Sequence, residues 1–123
     1  MKRIAFIDLG SNSVRFVIYE ISKTGSYRLI YQEKNSVRLS ENMWGTNELT
    51  NEAMERSLRS LKAFVHMAEA MDVDTIKAVA TAAVRLAKNG DIFIKTVKEQ
   101  TGLDLECIAG EEEARLGFLG VIN

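Results

Sequence analysis

Two rhythms of apolar residues divide this chain. Between Arg3 and Asp8 the residues Ile4, Ala5, Phe6 and Ile7 run without a break into a carboxylate, which predicts a central strand over 3–8, buried on both faces. β-branched and aromatic residues return over 14–21, and Lys23, Thr24, Gly25 and Ser26 form a turn cluster ahead of a third strand at 27–33. Three strands in succession predict a meander. The third alternates, with Tyr27, Leu29 and Tyr31 expected on one face and Arg28, Ile30 and Gln32 on the other.

Beyond Leu49 the period lengthens. Met54, Leu58, Leu61, Val65 and Ala68 recur at spacings of four, three, four and three, the stripe of an amphipathic helix over 50–71. Thr50 suits its N-cap, and Glu52 suits the positive end of the helix dipole. A buried strand is expected at 74–80, short helices at 82–88 and 91–100, the second closed by Gly102, then a strand at 103–108 and a last helix opening at Gly110. The order βββαβααβα predicts an α/β fold, a mixed five-stranded sheet with helices against it. Ligands of such sheets gather at the carboxyl ends of the strands.

Three segments with polar chemistry fall at those ends. In Asp8-Leu-Gly-Ser-Asn-Ser-Val-Arg15, Gly10 permits a sharp turn, while Ser11, Asn12 and Ser13 offer hydroxyl, amide and backbone donors to phosphate oxygens. Asp8 is placed to hold a metal-bound water or to orient the loop; the plainer reading is a hairpin turn capped by its own side chains. In Thr81-Ala-Ala-Val-Arg85, Thr81 is a candidate cap for the helix that follows, and the Arg85 guanidinium a candidate fork onto phosphate; otherwise Arg85 is a surface arginine. In Gly110-Glu-Glu-Glu-Ala-Arg115, three carboxylates suit a helix start, or one of them faces the cleft as a general base.

Composition narrows the partners. The length of 123 residues and 46% apolar content fit one domain with a real core. Sixteen basic against seventeen acidic residues give a net charge of −1, so no global field draws the chain to nucleic acid or an anionic membrane, and anion binding must be local. The single cysteine, Cys107, excludes an intramolecular disulfide and a cysteine-built zinc site; it is read as a core residue in a reducing compartment. The apolar run after Met1 is too short for a signal peptide and nothing reaches the roughly 20 apolar residues of a spanning helix, so a cytoplasmic location is expected. His66 has no second ligand at helical spacing and is read as structural. The polar 40–48 segment around Trp44 either edges a cleft or merely connects, and Arg38 and Lys88 are secondary anion contacts.

At these motifs, together with Val37-Arg-Leu39 and Thr101-Gly102, the chain resembles the Ppx/GppA family of exopolyphosphatases and guanosine pentaphosphate phosphohydrolases. The resemblance implies a ribonuclease H-like domain of the actin, Hsp70 and sugar-kinase type, the amino-terminal half of such an enzyme. It assigns the phosphate loop to Asp8, Gly10, Ser11, Asn12 and Ser13, a substrate contact to Arg85, and the general base to Glu113, with Glu112 as the fallback. It further implies Mg²⁺, held through water by Asp8, and water attack on the terminal phosphate of polyphosphate or the 5′ γ-phosphate of pppGpp. A homodimer is left open for the parent protein. The family's second phosphate loop, of Asp-x-Gly-Gly-Gly-Ser type, does not occur before Asn123, so the chain alone is expected to be inactive. An ATP-using relative of the same fold and a non-catalytic nucleotide sensor are the competing readings.

Overall fold

The strand and helix order expected from the sequence is realised over residues 2–107, the part of the chain that this computed structural model describes. In chain order the elements are β1 (Lys2–Leu9), β2 (Ser13–Ile21), β3 (Tyr27–Ser36), α1 (Asn51–Ala70), β4 (Thr75–Ala80), α2 (Ala82–Leu86), α3 (Gly90–Thr101) and β5 (Leu105–Cys107). The helix expected from Gly110 lies outside the described residues. Among the described residues no helix is long and apolar enough to cross a membrane.

The sheet runs β3-β2-β1-β4-β5. β1 pairs antiparallel with β2, and β2 with β3, while β4 lies parallel to β1 and β5 to β4. The carboxyl ends of β1, β3, β4 and β5 therefore share one end of the sheet with the β1–β2 loop. By the general rule for open α/β sheets this is the end where a ligand is expected, the ligand end.

Ala5, Ile7 and Leu9 face the main core with Val14, Phe16 and Ile18, under α1 and α3. Phe6 and Val79 are buried on the other face beside half-buried Val17. An unbroken apolar strand is what a position covered on both faces requires. α1 buries Leu58, Leu61 and Ala68 of the expected stripe, adds Ala53, Ser57 and Phe64, and leaves Met54 and Val65 partly covered. Buried Ser57 is satisfied by donating to the Ala53 carbonyl at 2.9 Å, and Phe64 stacks on Phe16 at 4.7 Å between ring centroids. Thr50 accepts from the Ala53 N–H at 3.1 Å, the expected cap. Gly102 ends α3 in the left-handed region at φ 80°.

Three local expectations are revised. In β3 the alternation breaks: Tyr31 pairs with Ile18 but Leu29 pairs with Tyr19, so Ile30 is an extra residue in a bulge. Tyr31 consequently joins the core side with Ile18, whereas Tyr27 and Leu29 turn to the other face and are 56% and 41% exposed. β3 also continues to Ser36 because its polar end still pairs with the start of β2, Ser36 opposite Ser13. α2 stops at Leu86, since Ala87 is extended. The chain then enters α3 at buried Gly90, where a Cβ would lie 2.1 Å from the Val84 carbonyl oxygen, so only glycine permits the approach of α3 to α2.

Candidate functional site

The β1–β2 loop owes its shape to hydrogen bonds that consume its carbonyls. Gly10 N–H donates to the Ser13 carbonyl at 2.9 Å and closes the turn. A Cβ on Gly10 would sit 3.2 Å from that same oxygen. The Ser11 carbonyl accepts from Ser40 N–H at 3.0 Å and from the Ser40 hydroxyl at 3.2 Å. The Asn12 carbonyl accepts from the N–H groups of Val37 and Arg38, at 3.0 and 2.8 Å. Among the described residues no backbone carbonyl accepts the N–H of Ser11 or Asn12. Asn12 is exposed, while Ser11, Ser13 and Asp8 are half-buried. Asp8 alternates with Ile7 and Leu9, and so shares the sheet face of Phe6.

A brace from α1 holds the segment that holds this loop. Arg56 donates from Nε to the Val37 carbonyl at 2.9 Å and from Nη2 to the Arg38 carbonyl at 3.3 Å and Glu41 Oε2 at 2.5 Å. Glu41 also pairs with Arg38, at 3.6 Å. Arg38 itself has φ 46°, in the left-handed region, a strained conformation that persists because its neighbours on both sides are fixed. Reading the sequence placed Ser40 only within the polar 40–48 segment that either edges a cleft or merely connects, and did not single out Arg56. Arg56 falls on a partly covered flank of α1 between Met54 and Leu58, and no local spacing links it to a loop formed by residues 10–13.

The end of β4 is stitched to the end of β1. Thr81 N–H donates to the Leu9 carbonyl at 3.0 Å and its hydroxyl to the same oxygen at 3.4 Å. Thr81 stands at the N-cap position of α2 but makes no side-chain cap, contrary to expectation, because its hydroxyl turns to β1 instead. Arg85, in the last turn of α2, is exposed. It lies near enough to β5 to influence Cys107: burial pushes that thiol up, the Arg85 cation opposes the rise, and Asp91 adds to it. Cys107 packs against the core, as expected. The structure thus gathers Asp8, the 10–13 loop, Thr81 and Arg85 at one end of the sheet. Glu112 and Glu113 lie outside the described residues. His66 is on the exposed side of α1, and among the described residues no three His, Cys, Asp or Glu side chains form a metal-binding group.

A mixed sheet of this order, with its polar loops at the strand ends, is the ribonuclease H-like domain of the actin, Hsp70 and sugar-kinase group. The model of the Ppx/GppA phosphatase family matches residues 17–123, and the chain belongs to that family. It is 45% identical over 119 residues to a guanosine-5′-triphosphate,3′-diphosphate pyrophosphatase of Pseudoalteromonas atlantica, covering 95% of this chain and 23% of the relative. The structure of the Aquifex aeolicus Ppx/GppA family member superposes with a TM-score of 0.89 at 36% identity, over 98% of this chain and 39% of that one. An exopolyphosphatase from Cytophaga hutchinsonii gives 0.86 at 33%, over 98% and 38%. The chain therefore spans about a quarter of the length of its curated relative.

Proposed function

We propose that this chain forms one wall of a phosphoanhydride-hydrolysing site. Joined to the second domain that completes the family's length, it would release the terminal phosphate of polyphosphate or the 5′ γ-phosphate of pppGpp. The observation that carries the reading is the 10–13 loop, whose Ser11 and Asn12 carbonyls are tied down while the matching N–H groups have no backbone acceptor among the described residues. Preorganised N–H dipoles suit the charge that develops on the equatorial oxygens of a transferring phosphoryl group. In this reading Ser11, Asn12 and Ser13 receive the phosphate, Gly10 shapes their turn, and Arg85 adds a cation from the neighbouring strand end. Glu113, or failing it Glu112, orients and deprotonates the attacking water.

Mg²⁺ suits the oxygen chemistry present. Asp8 supplies one half-buried carboxylate, and Mg²⁺ commonly takes one or two carboxylates, with water and substrate phosphates completing its shell. When bound beside Asp8, the ion would neutralise phosphate charge.

The test is phosphate release from polyphosphate, pppGpp and ATP by the parent protein and its Glu113→Gln and Glu112→Gln variants. The expected result is hydrolysis of one of the first two substrates, reduced about 10²- to 10⁴-fold by Glu113→Gln. Loss only in Glu112→Gln moves the base by one residue. Hydrolysis of ATP alone turns the reading to an ATP-using relative, and no hydrolysis of any substrate to a sensor. The 123-residue chain by itself is expected to release phosphate at a negligible rate.

A further inference from the structure

Trp44 is 83% exposed, yet the loop that carries it is well anchored. Met43 and Leu49 are buried on either side of it. Met43 N–H donates to the Ser40 carbonyl at 3.1 Å and Asn47 N–H to the Met43 carbonyl at 2.8 Å. Further along, the Asn47 carbonyl accepts from Lys88 N–H at 2.8 Å, and Leu49 and Asn89 exchange bonds of 2.8 and 3.0 Å. The backbone is left-handed at Asn42, Gly45 and Asn47. An indole offers about 150–250 Å² of largely apolar surface, and here a defined frame presents it to water.

The position of that ring is informative. Ser40, which holds the Ser11 carbonyl, opens the hydrogen-bonded turn that ends at Met43. Such a turn keeps its end Cα atoms within about 7 Å, and one further step of ~3.8 Å reaches Trp44. The residue is thus rooted at the ligand end of the sheet, its Cα within about 11 Å of the Cα of Ser40, which bonds the phosphate loop. Its neighbours Asn42, Gly45, Thr46, Asn47 and Glu48 are all exposed and polar or small. Leu86, 64% exposed, lies two residues before the Lys88 that bonds this loop, but an indole and one leucine fall well short of the contiguous apolar surface that a lasting protein interface needs, and suit a flat ligand that comes and goes.

We propose that Trp44 is a nucleobase platform: the purine of a phosphorylated nucleoside stacks on the indole while its terminal phosphate occupies the 10–13 loop. The inference rests on the phosphohydrolase reading above and sharpens it toward a nucleotide substrate. Polyphosphate has no base to place on the ring, and every purine has a π-face for it.

The experiment measures kcat/KM of the parent protein for pppGpp and for tripolyphosphate in wild type, Trp44→Ala and Trp44→Phe. Trp44→Ala is expected to lower the ratio of pppGpp to tripolyphosphate efficiency about 5- to 100-fold, chiefly through KM for the nucleotide. Trp44→Phe, which keeps an aromatic face, retains most of the ratio. An unchanged ratio, or an equal loss on both substrates, overturns the platform and makes Trp44 a contact with the second domain or a folding residue. Wild-type hydrolysis of tripolyphosphate with pppGpp inert overturns the platform and leaves the phosphate site standing. Failure on both substrates removes the underlying reading and this inference with it.

Discussion

The two ends of the sheet spend their charges differently. At the end away from the site, Arg3 bonds Glu20 at 3.2 Å and the Met71 carbonyl at 2.5 Å, Arg28 bonds Glu20 at 2.9 Å, and Asp74 accepts the Arg3 N–H at 2.7 Å. These charged groups are answered within the fold. At the ligand end Arg15, Arg85 and Lys88 are exposed and form no ion pair among the described residues. Of the four non-glycine residues with positive φ among the described residues, Arg38, Asn42 and Asn47 are at this end and Asp72 at the other. Exposed lysines without an ion pair occur at the far end too, at Lys2 and Lys23, and Arg38 and Arg56 pair with Glu41 at the ligand end; among the described residues the ligand end is set apart by arginines left without an ion pair beside strained backbone.

Arg85→Ala tests that contrast most strongly. If Arg85 serves substrate and not fold, KM of the parent protein for tripolyphosphate rises about 10- to 100-fold, the equivalent of a charge-assisted hydrogen bond of ~1.5–3 kcal/mol. The thermal midpoint of the chain should hardly move, since exposed substitutions of this kind stay within about 0.5 kcal/mol. A clear stability loss with unchanged KM would place Arg85 with the structural charges and break the comparison.

Arg56 sharpens the comparison from between the two classes, because it is committed to the fold yet acts on the ligand end. Arg56→Ala removes the bonds to Val37, Arg38 and Glu41 and frees the segment that fixes the Ser11 and Asn12 carbonyls. KM for tripolyphosphate is expected to rise several-fold with kcat little changed, and stability to fall by ~2 kcal/mol. Arg56→Lys should recover part of both. Arg59→Ala, which removes an exposed charge one turn away on α1, should change neither. A KM equal in Arg56→Ala and wild type would show that the loop holds its shape without the brace.

What could be read from the chain itself follows the same division. The strand run from Ile4 to Ile7, the α1 stripe and the caps at Thr50 and Gly102 are written in local spacing, so element order and sheet type were legible. The bulge at Ile30 was not, because two apolar residues in succession fit either face until pairing with Ile18 and Tyr19 decides. The 10–13 residues were legible as a motif, but the hydrogen bonds that fix their carbonyls come from Val37, Arg38 and Ser40, which lie far along the chain and carry no signal of that contact. Thr81 misled for a related reason: a hydroxyl before a short helix reads as a cap, and only the fold brings the Leu9 carbonyl to it.

The smallest expected effect lies at the satisfied end and depends on pH. The Arg3 hydrogen bond, followed by that of Arg28, holds the Glu20 carboxyl below the usual carboxylate range against the opposing pull of burial. A carboxylate lowered in the folded state contributes stability that is fully present above its unfolded pKa, about 4.3, and is lost as pH falls through the lower folded value. Glu20→Gln should therefore reduce the thermal midpoint slightly near neutral pH, and its gap from wild type should close as the solution is acidified below about pH 4. Its effect should also weaken in high salt, since the Arg28 partner is largely exposed. KM for tripolyphosphate in the parent protein should be unchanged, because Glu20 faces away from the ligand end. A gap that persists unaltered to pH 2 would mean that Glu20 acts through packing and not charge, and the two ends would then differ in geometry alone.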